Sequence, residues 1–161
     1  MTRKRFSILA AAAAAPLLLA CPSSAADTPF AALDGAWSGS GSVRLDNGKT
    51  ERLKCKGYYN AKAGGAELGM AINCGNPSFK INMRAALTYA GGQVSGTWEE
   101  REFNQAGNVN GKATASRLSL TFSGAITGSM SISMTGNEQT VSISTGGPGF
   151  TGVNLQFAKT S

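Results

Sequence analysis

The strictest constraint in this chain is a two-residue alternation of apolar and hydroxyl side chains, cleanest in Leu118-Ser119-Leu120-Thr121-Phe122 and Met130-Ser131-Ile132-Ser133-Met134. That period matches a β-strand with one buried and one wet face, because successive strand side chains point to opposite sides. Comparable runs recur along the chain, separated by Gly64-Gly65, Gly91-Gly92 and Asn47-Gly48, which are turn-forming pairs. No segment has the period or the caps of a long helix. About ten strands are expected, the later ones at Val109 to Thr114, Leu118 to Ser123, Met130 to Thr135, Gln139 to Ser144 and Val153 to Ala158. A sheet of this many strands must curl or close, since closure alone removes its edges. The fold expected is all-β, an antiparallel up-and-down β-barrel of about eight to ten strands.

Register follows from the turns. A hairpin turning at Gly64-Gly65 sets Cys55 opposite Cys74, Gly57 opposite Ile72 and Tyr59 opposite Met70. Leu53, Cys55, Tyr59, Met70, Ile72 and Cys74 then share the inner face, while Arg52, Lys54 and Lys56 lie outside. The two opposed cysteines are close enough to bridge, giving a structural disulfide. A metal or redox role would need ligands that a mature chain without histidine or a third thiol does not supply. A primed turn at Gly91-Gly92 pairs Tyr89 with Val94, Leu87 with Gly96, Ala85 with Trp98, and Arg84 with Glu99 on the wet face. Around Asn47-Gly48 a tight two-residue turn would mix the faces. A three-residue loop with Gly48 left-handed restores them, setting Val43 against Glu51 and Gly41 against Leu53.

Residues 1–26 have the build of an export signal: basic Arg3, Lys4 and Arg5, an apolar stretch from Phe6 to Ala20, and small residues before Asp27. The stretch is shorter than a bilayer-crossing helix, so no transmembrane segment is expected in the mature chain. Residues 27–161 then form a single barrel domain that is periplasmic or secreted. Thr2-Arg3-Lys4-Arg5-Phe6 is a degraded twin-arginine pattern. Leu18-Leu19-Ala20-Cys21 offers the alternative of a lipoprotein, lipidated on Cys21 and anchored to the envelope. Without the three signal cations the formal net charge falls from +6 to +3. So small an excess calls for no nucleic-acid partner. Gly146-Gly147-Pro148-Gly149 reads as a mobile loop between the last strands.

The run Leu33-Asp34-Gly35-Ala36-Trp37-Ser38-Gly39-Ser40-Gly41, with Asn47-Gly48, Glu51-Arg52, Cys55, Tyr59, Cys74 and Ser95-Gly96-Thr97-Trp98, resembles a family of small exported bacterial proteins. That family has no established activity, so the resemblance speaks to fold and compartment. More distantly, the Gly-x-Trp opening is similar to the lipocalin and calycin barrels, which implies that Trp37 packs across the closed end. Gly35 to Gly41 is also similar to nitrobindin-like barrels, whose haem is held by a histidine. This chain has no histidine, so no haem cofactor of that type is expected.

Function is sought in the barrel's interior. Trp37, Tyr59, Met70, Met83, Trp98, Met130 and Met134 are the candidate lining of a pocket for a small apolar or aromatic ligand; the same residues could instead fill the core. Glu100 and Glu102 are expected on the inner face, opposite Met83 and Ile81, the one arrangement that could supply an acid and a base. With no histidine and no Gly-x-Ser-x-Gly elbow, a non-catalytic protein is expected, without cofactor or metal. The other function class is surface interaction or inhibition. Arg52, Lys54 and Lys56, extended by Lys80 and Arg84, would face an anionic envelope surface from a barrel with a filled core.

Overall fold

A computed structural model describes residues 28–160; the expected signal segment and Cys21 lie outside them. Ten strands follow one another: β1 (Gly35–Leu45), β2 (Thr50–Lys62), β3 (Glu67–Gly75), β4 (Lys80–Ala90) and β5 (Gln93–Glu100), then β6 (Gln105–Thr114), β7 (Arg117–Gly124), β8 (Gly128–Thr135), β9 (Glu138–Thr145) and β10 (Phe150–Thr160). Each pairs antiparallel with its sequence neighbours, and β1 also pairs with β10, so the sheet is a closed up-and-down barrel. Closure leaves no free edge for another chain to extend.

The turns decide the registers as expected. Cys55 faces Cys74 and Tyr59 faces Met70. Val43 faces Glu51 across a three-residue loop in which Gly48 has φ of +83°. Ala85 faces Trp98 across Gly91-Gly92, where φ values of +57° and +84° form the primed turn that matches strand twist. One hydrophobic core runs inside the barrel. The Cys55–Cys74 disulfide is formed on its inner surface, with the Cα atoms 4.1 Å apart.

The two ends differ. At one, Thr28–Leu33 folds back as a plug containing a short 3-10 turn (Ala31–Leu33), with Phe30 and Leu33 wholly buried. Phe30 meets Tyr89 edge-on at 6.3 Å, and the Thr28 hydroxyl bonds the Gly64 carbonyl in the β2–β3 loop. Trp37 completes this closed end. Its indole N–H donates to the Leu33 carbonyl at 2.7 Å, its ring meets Tyr59 edge-on, and Lys159 Nζ lies 5.6 Å above it. The other end, formed by the β1–β2, β3–β4, β5–β6, β7–β8 and β9–β10 loops, is the mouth of a cavity.

Candidate functional site: an apolar cavity open at one end of the barrel

Inward side chains fill the plugged half of the barrel and leave a cavity of about 420 Å³ in the other half. Its wall is built by Leu53, Met70, Ile72, Met83, Trp98 and Met130, and its rim by Phe79, Phe103, Ile126 and Pro148 from four of the mouth loops and by Phe150 at the start of β10. The lining is almost wholly apolar, which suits an apolar occupant held by contact area rather than by a polar clamp. Four of the seven residues read from the sequence as candidate lining border this space: Met70, Met83, Trp98 and Met130.

Trp37, Tyr59 and Met134 do not, and the reason is the plug. They belong to the packed layer beneath the cavity, where Trp37 is tied to Leu33 and Tyr59 to Gln139. Tyr59 leans over Gly57, whose missing side chain leaves room for the ring. Its hydroxyl donates to Gln139 Oε1 at 3.0 Å across the barrel. Burial, only partly offset by this bond, holds the Tyr59 phenol far above the ordinary tyrosine pKa. Gln139 Nε2 is buried without a hydrogen-bond partner among the described residues. Trp98 is fixed differently. Its indole crosses Gly107 to donate to the Ser123 carbonyl at 3.2 Å, and a Cβ on Gly107 would come within 2.7 Å of that nitrogen.

The two carboxylates are not brought together. Glu100 does face inward, opposite Met83, but β5 ends there and Glu102 sits exposed on the turn that follows. Glu100 itself makes that turn. Its Oε1 accepts the Asn82 N–H at 2.6 Å and its Oε2 the Phe103 N–H at 2.7 Å, which folds the chain back after Glu100. The outer charge pair also differs from expectation: Arg84 is in register with Glu99, yet Glu99 pairs with Arg101 at 2.6 Å, and Arg84 donates to Asn73 Oδ1 at 3.1 Å. Arg52, Lys54 and Lys56 are exposed on the outer face of β2, and Lys54 shares a cross-strand row with Lys80 through Gly75.

Three features escaped the sequence reading. One is the plug, whose signal is only Phe30 and Leu33 ahead of the first strand. A second is the apolar rim, scattered over four loops. The third is the β9–β10 loop, expected to be mobile but tied to the β1–β2 loop: Asp46 Oδ2 accepts the Gly149 N–H at 2.9 Å, and the Asp46 N–H donates to the Gly149 carbonyl.

The barrel is also found in solved structures. Rv2717c from M. tuberculosis superposes with a TM-score of 0.67 at 14% identity, over 81% of this chain and 94% of its own. The S-type phycobiliprotein lyase CpeS from Guillardia theta superposes with a TM-score of 0.58 at 12% identity, over 82% of this chain and 90% of its own. The fold is that of the calycin-like barrels. No family model and no curated protein matches the sequence. At these identities the likeness is one of fold, and the calycin-like barrel by itself names no ligand.

Proposed function

We propose that the protein is a non-catalytic binder of one small apolar or aromatic ligand, held inside the barrel. The observation that carries this reading is the 420 Å³ apolar cavity with a single rimmed mouth. Its volume lies within the range of small-molecule sites, roughly 300 to 1,000 Å³. The one carboxylate in its lining, Glu100, spends both oxygens on backbone N–H groups, which favours a structural over a catalytic part for it. The likeness to a phycobiliprotein lyase supports the barrel as a scaffold; at 12% identity no lyase chemistry is carried with it.

The compartment belongs to the same proposal. The Cys55–Cys74 bridge favours an oxidising environment, in keeping with the export signal read in residues 1–26. An intact-mass measurement on protein from its host envelope distinguishes a chain starting at Asp27 from one carrying a diacylglycerol on Cys21.

The binding test is a titration with the apolar dye N-phenyl-1-naphthylamine. Saturable one-to-one binding, with transfer of excitation from Trp98 to the dye, is expected. Ala85→Phe, which enlarges the side chain paired with Trp98 on the cavity wall, is expected to abolish it while the protein stays folded. A dye that binds the filled variant as well as the parent would refute the reading.

A further inference from the structure

We propose that the mouth of the barrel docks on an anionic lipid bilayer, with Phe103 entering the interface and the outer face of β2–β4 lying against the headgroups. The first ground is where exposed apolar surface occurs. Among the described residues, the two exposed large hydrophobic side chains are Phe103, at 59%, and Tyr58, at 49%. Phe103 stands on the mouth rim in the β5–β6 turn, which is tied to β4 by the Arg101 N–H donating to the Asn82 carbonyl. Tyr58 projects from the outer face of β2 nearer the plugged end, in the row that runs from Ala36 through Ala71 and Arg84 to Glu99. Phe103 is therefore the exposed large apolar side chain that the mouth presents.

The second ground is charge. The outward positions of β2, β3 and β4 in the half nearest the mouth carry Arg52, Lys54, Lys56, Lys80 and Arg84, and no acid. Arg52 leads this patch at the mouth end of β2, and Lys54 and Lys80 follow in a row through Gly75 beside the β3–β4 loop that presents Phe79. The opposite flank differs. Outward positions of β8, β9 and β10 near the mouth are Ser129, Ser131, Ser142, Ser144 and Asn154, all uncharged.

Acids at the mouth reduce this field without cancelling it, because they are fewer: Asp46, Glu51, Glu99, Glu100 and Glu102 stand against the five cations just named together with Arg44, Lys49 and Arg101. Asp46 holds Gly149, Glu51 accepts from Asn76, Glu99 pairs with Arg101, and Glu100 holds Asn82 and Phe103. Glu102, like Asp46, is exposed at the mouth. An apolar rim flanked by an excess of cations matches the two layers of an anionic membrane surface. Such docking would place the cavity's opening against the phase in which an apolar ligand is most concentrated. The cavity reading supplies that purpose, but vesicle binding can be measured without it.

The experiment is vesicle flotation with the full chain, on equimolar phosphatidylglycerol and phosphatidylcholine against phosphatidylcholine alone. Binding is expected only with the anionic lipid. Lys54→Gln with Lys80→Gln is expected to weaken it about thirtyfold, at the usual strength of a surface lysine on such a membrane. Phe103→Ser should weaken it several-fold, whereas Lys112→Gln with Arg117→Gln, on the far flank, should leave it unchanged. Equal binding by all variants would trace the affinity to another part of the chain, residues 1–26 included, and overturn the proposal. So would loss with the lysines but not with Phe103→Ser, matched by binding to soluble dextran sulfate, which marks a polyanion surface instead. The dye titration on the lysine variant separates the two readings: intact dye binding with lost vesicle binding leaves the cavity reading standing, and the reverse result in the parent leaves the docking standing.

Discussion

Tyr59 and Gln139 show how one buried polar pair can be structurally necessary and energetically poor. The tyrosine hydroxyl has a partner, but one end of the Gln139 amide has none. Removing a single member leaves the other unsatisfied, at about 1 to 3 kcal/mol, whereas removing both can be nearly neutral. Urea denaturation is expected to show Tyr59→Phe and Gln139→Leu each less stable than the parent, and the double variant more stable than either single one. The phenol also gives a pH signature. Its folded pKa is raised, so above about pH 10 the unfolded tyrosine releases its proton while the folded one keeps it. Stability contributed by Tyr59 is thus complete below that pH and lost as pH rises. The alkaline fall should be shallower in Tyr59→Phe by about 1.4 kcal/mol per pH unit. Tyr59's inward direction was legible in the alternation of β2. Its removal from the cavity lining was not, because that depends on a plug supplied by another part of the chain and on the ring leaning into the gap at Gly57.

At the scale of elements, hairpins were the legible unit because each register rests on a local turn and a face pattern. The symmetric placement of Cys55 and Cys74 about Gly64-Gly65 is enough to set their pairing, and the bulged loop at Gly48 follows from keeping Val43 away from Arg52. What alternation could not supply was where a strand stops. Extending β5 by two residues put Glu102 inside, but the strand ends when Glu100 captures the Phe103 N–H, a side-chain bond that periodicity does not encode. The tie of the β9–β10 loop was hidden for a related reason: its glycines show no partner until Asp46, about a hundred residues earlier, is brought beside Gly149 by barrel closure. The β2–β3 hairpin carries its own prediction. Replacing both cysteines by alanine opens a crosslink spanning 19 residues and should lower stability by about 3 kcal/mol, read as a lower urea midpoint. A parent treated with reductant should match the double variant.

The whole molecule is a ring of local pairings with one long-range closure, β1 to β10, and two chemically different ends. Ala36 and Thr160 are paired neighbours at the plugged end, so β1 starts and β10 finishes away from the mouth. Joining Ser161 to Thr28 with a Gly/Ser linker of about eight residues, reaching roughly 16 Å, turns the β1–β10 seam into a connection and frees the choice of new ends. Opening the chain between Gly91 and Gly92 cuts an exposed turn at the plugged end that packs against nothing. Opening it between Gly147 and Pro148 cuts the mouth loop that Asp46 holds. If the plugged end is scaffold and the mouth is the site, the first permutant keeps both its cooperative unfolding and its dye affinity. The second still folds, because every strand pair survives, but it loses dye affinity about tenfold through a loosened rim, a loss of about 1.4 kcal/mol. Circular dichroism melts and the dye titration read the two properties separately. Equal dye binding by both permutants would show that the rim takes no part in holding the ligand, and would leave the wall residues as its whole support.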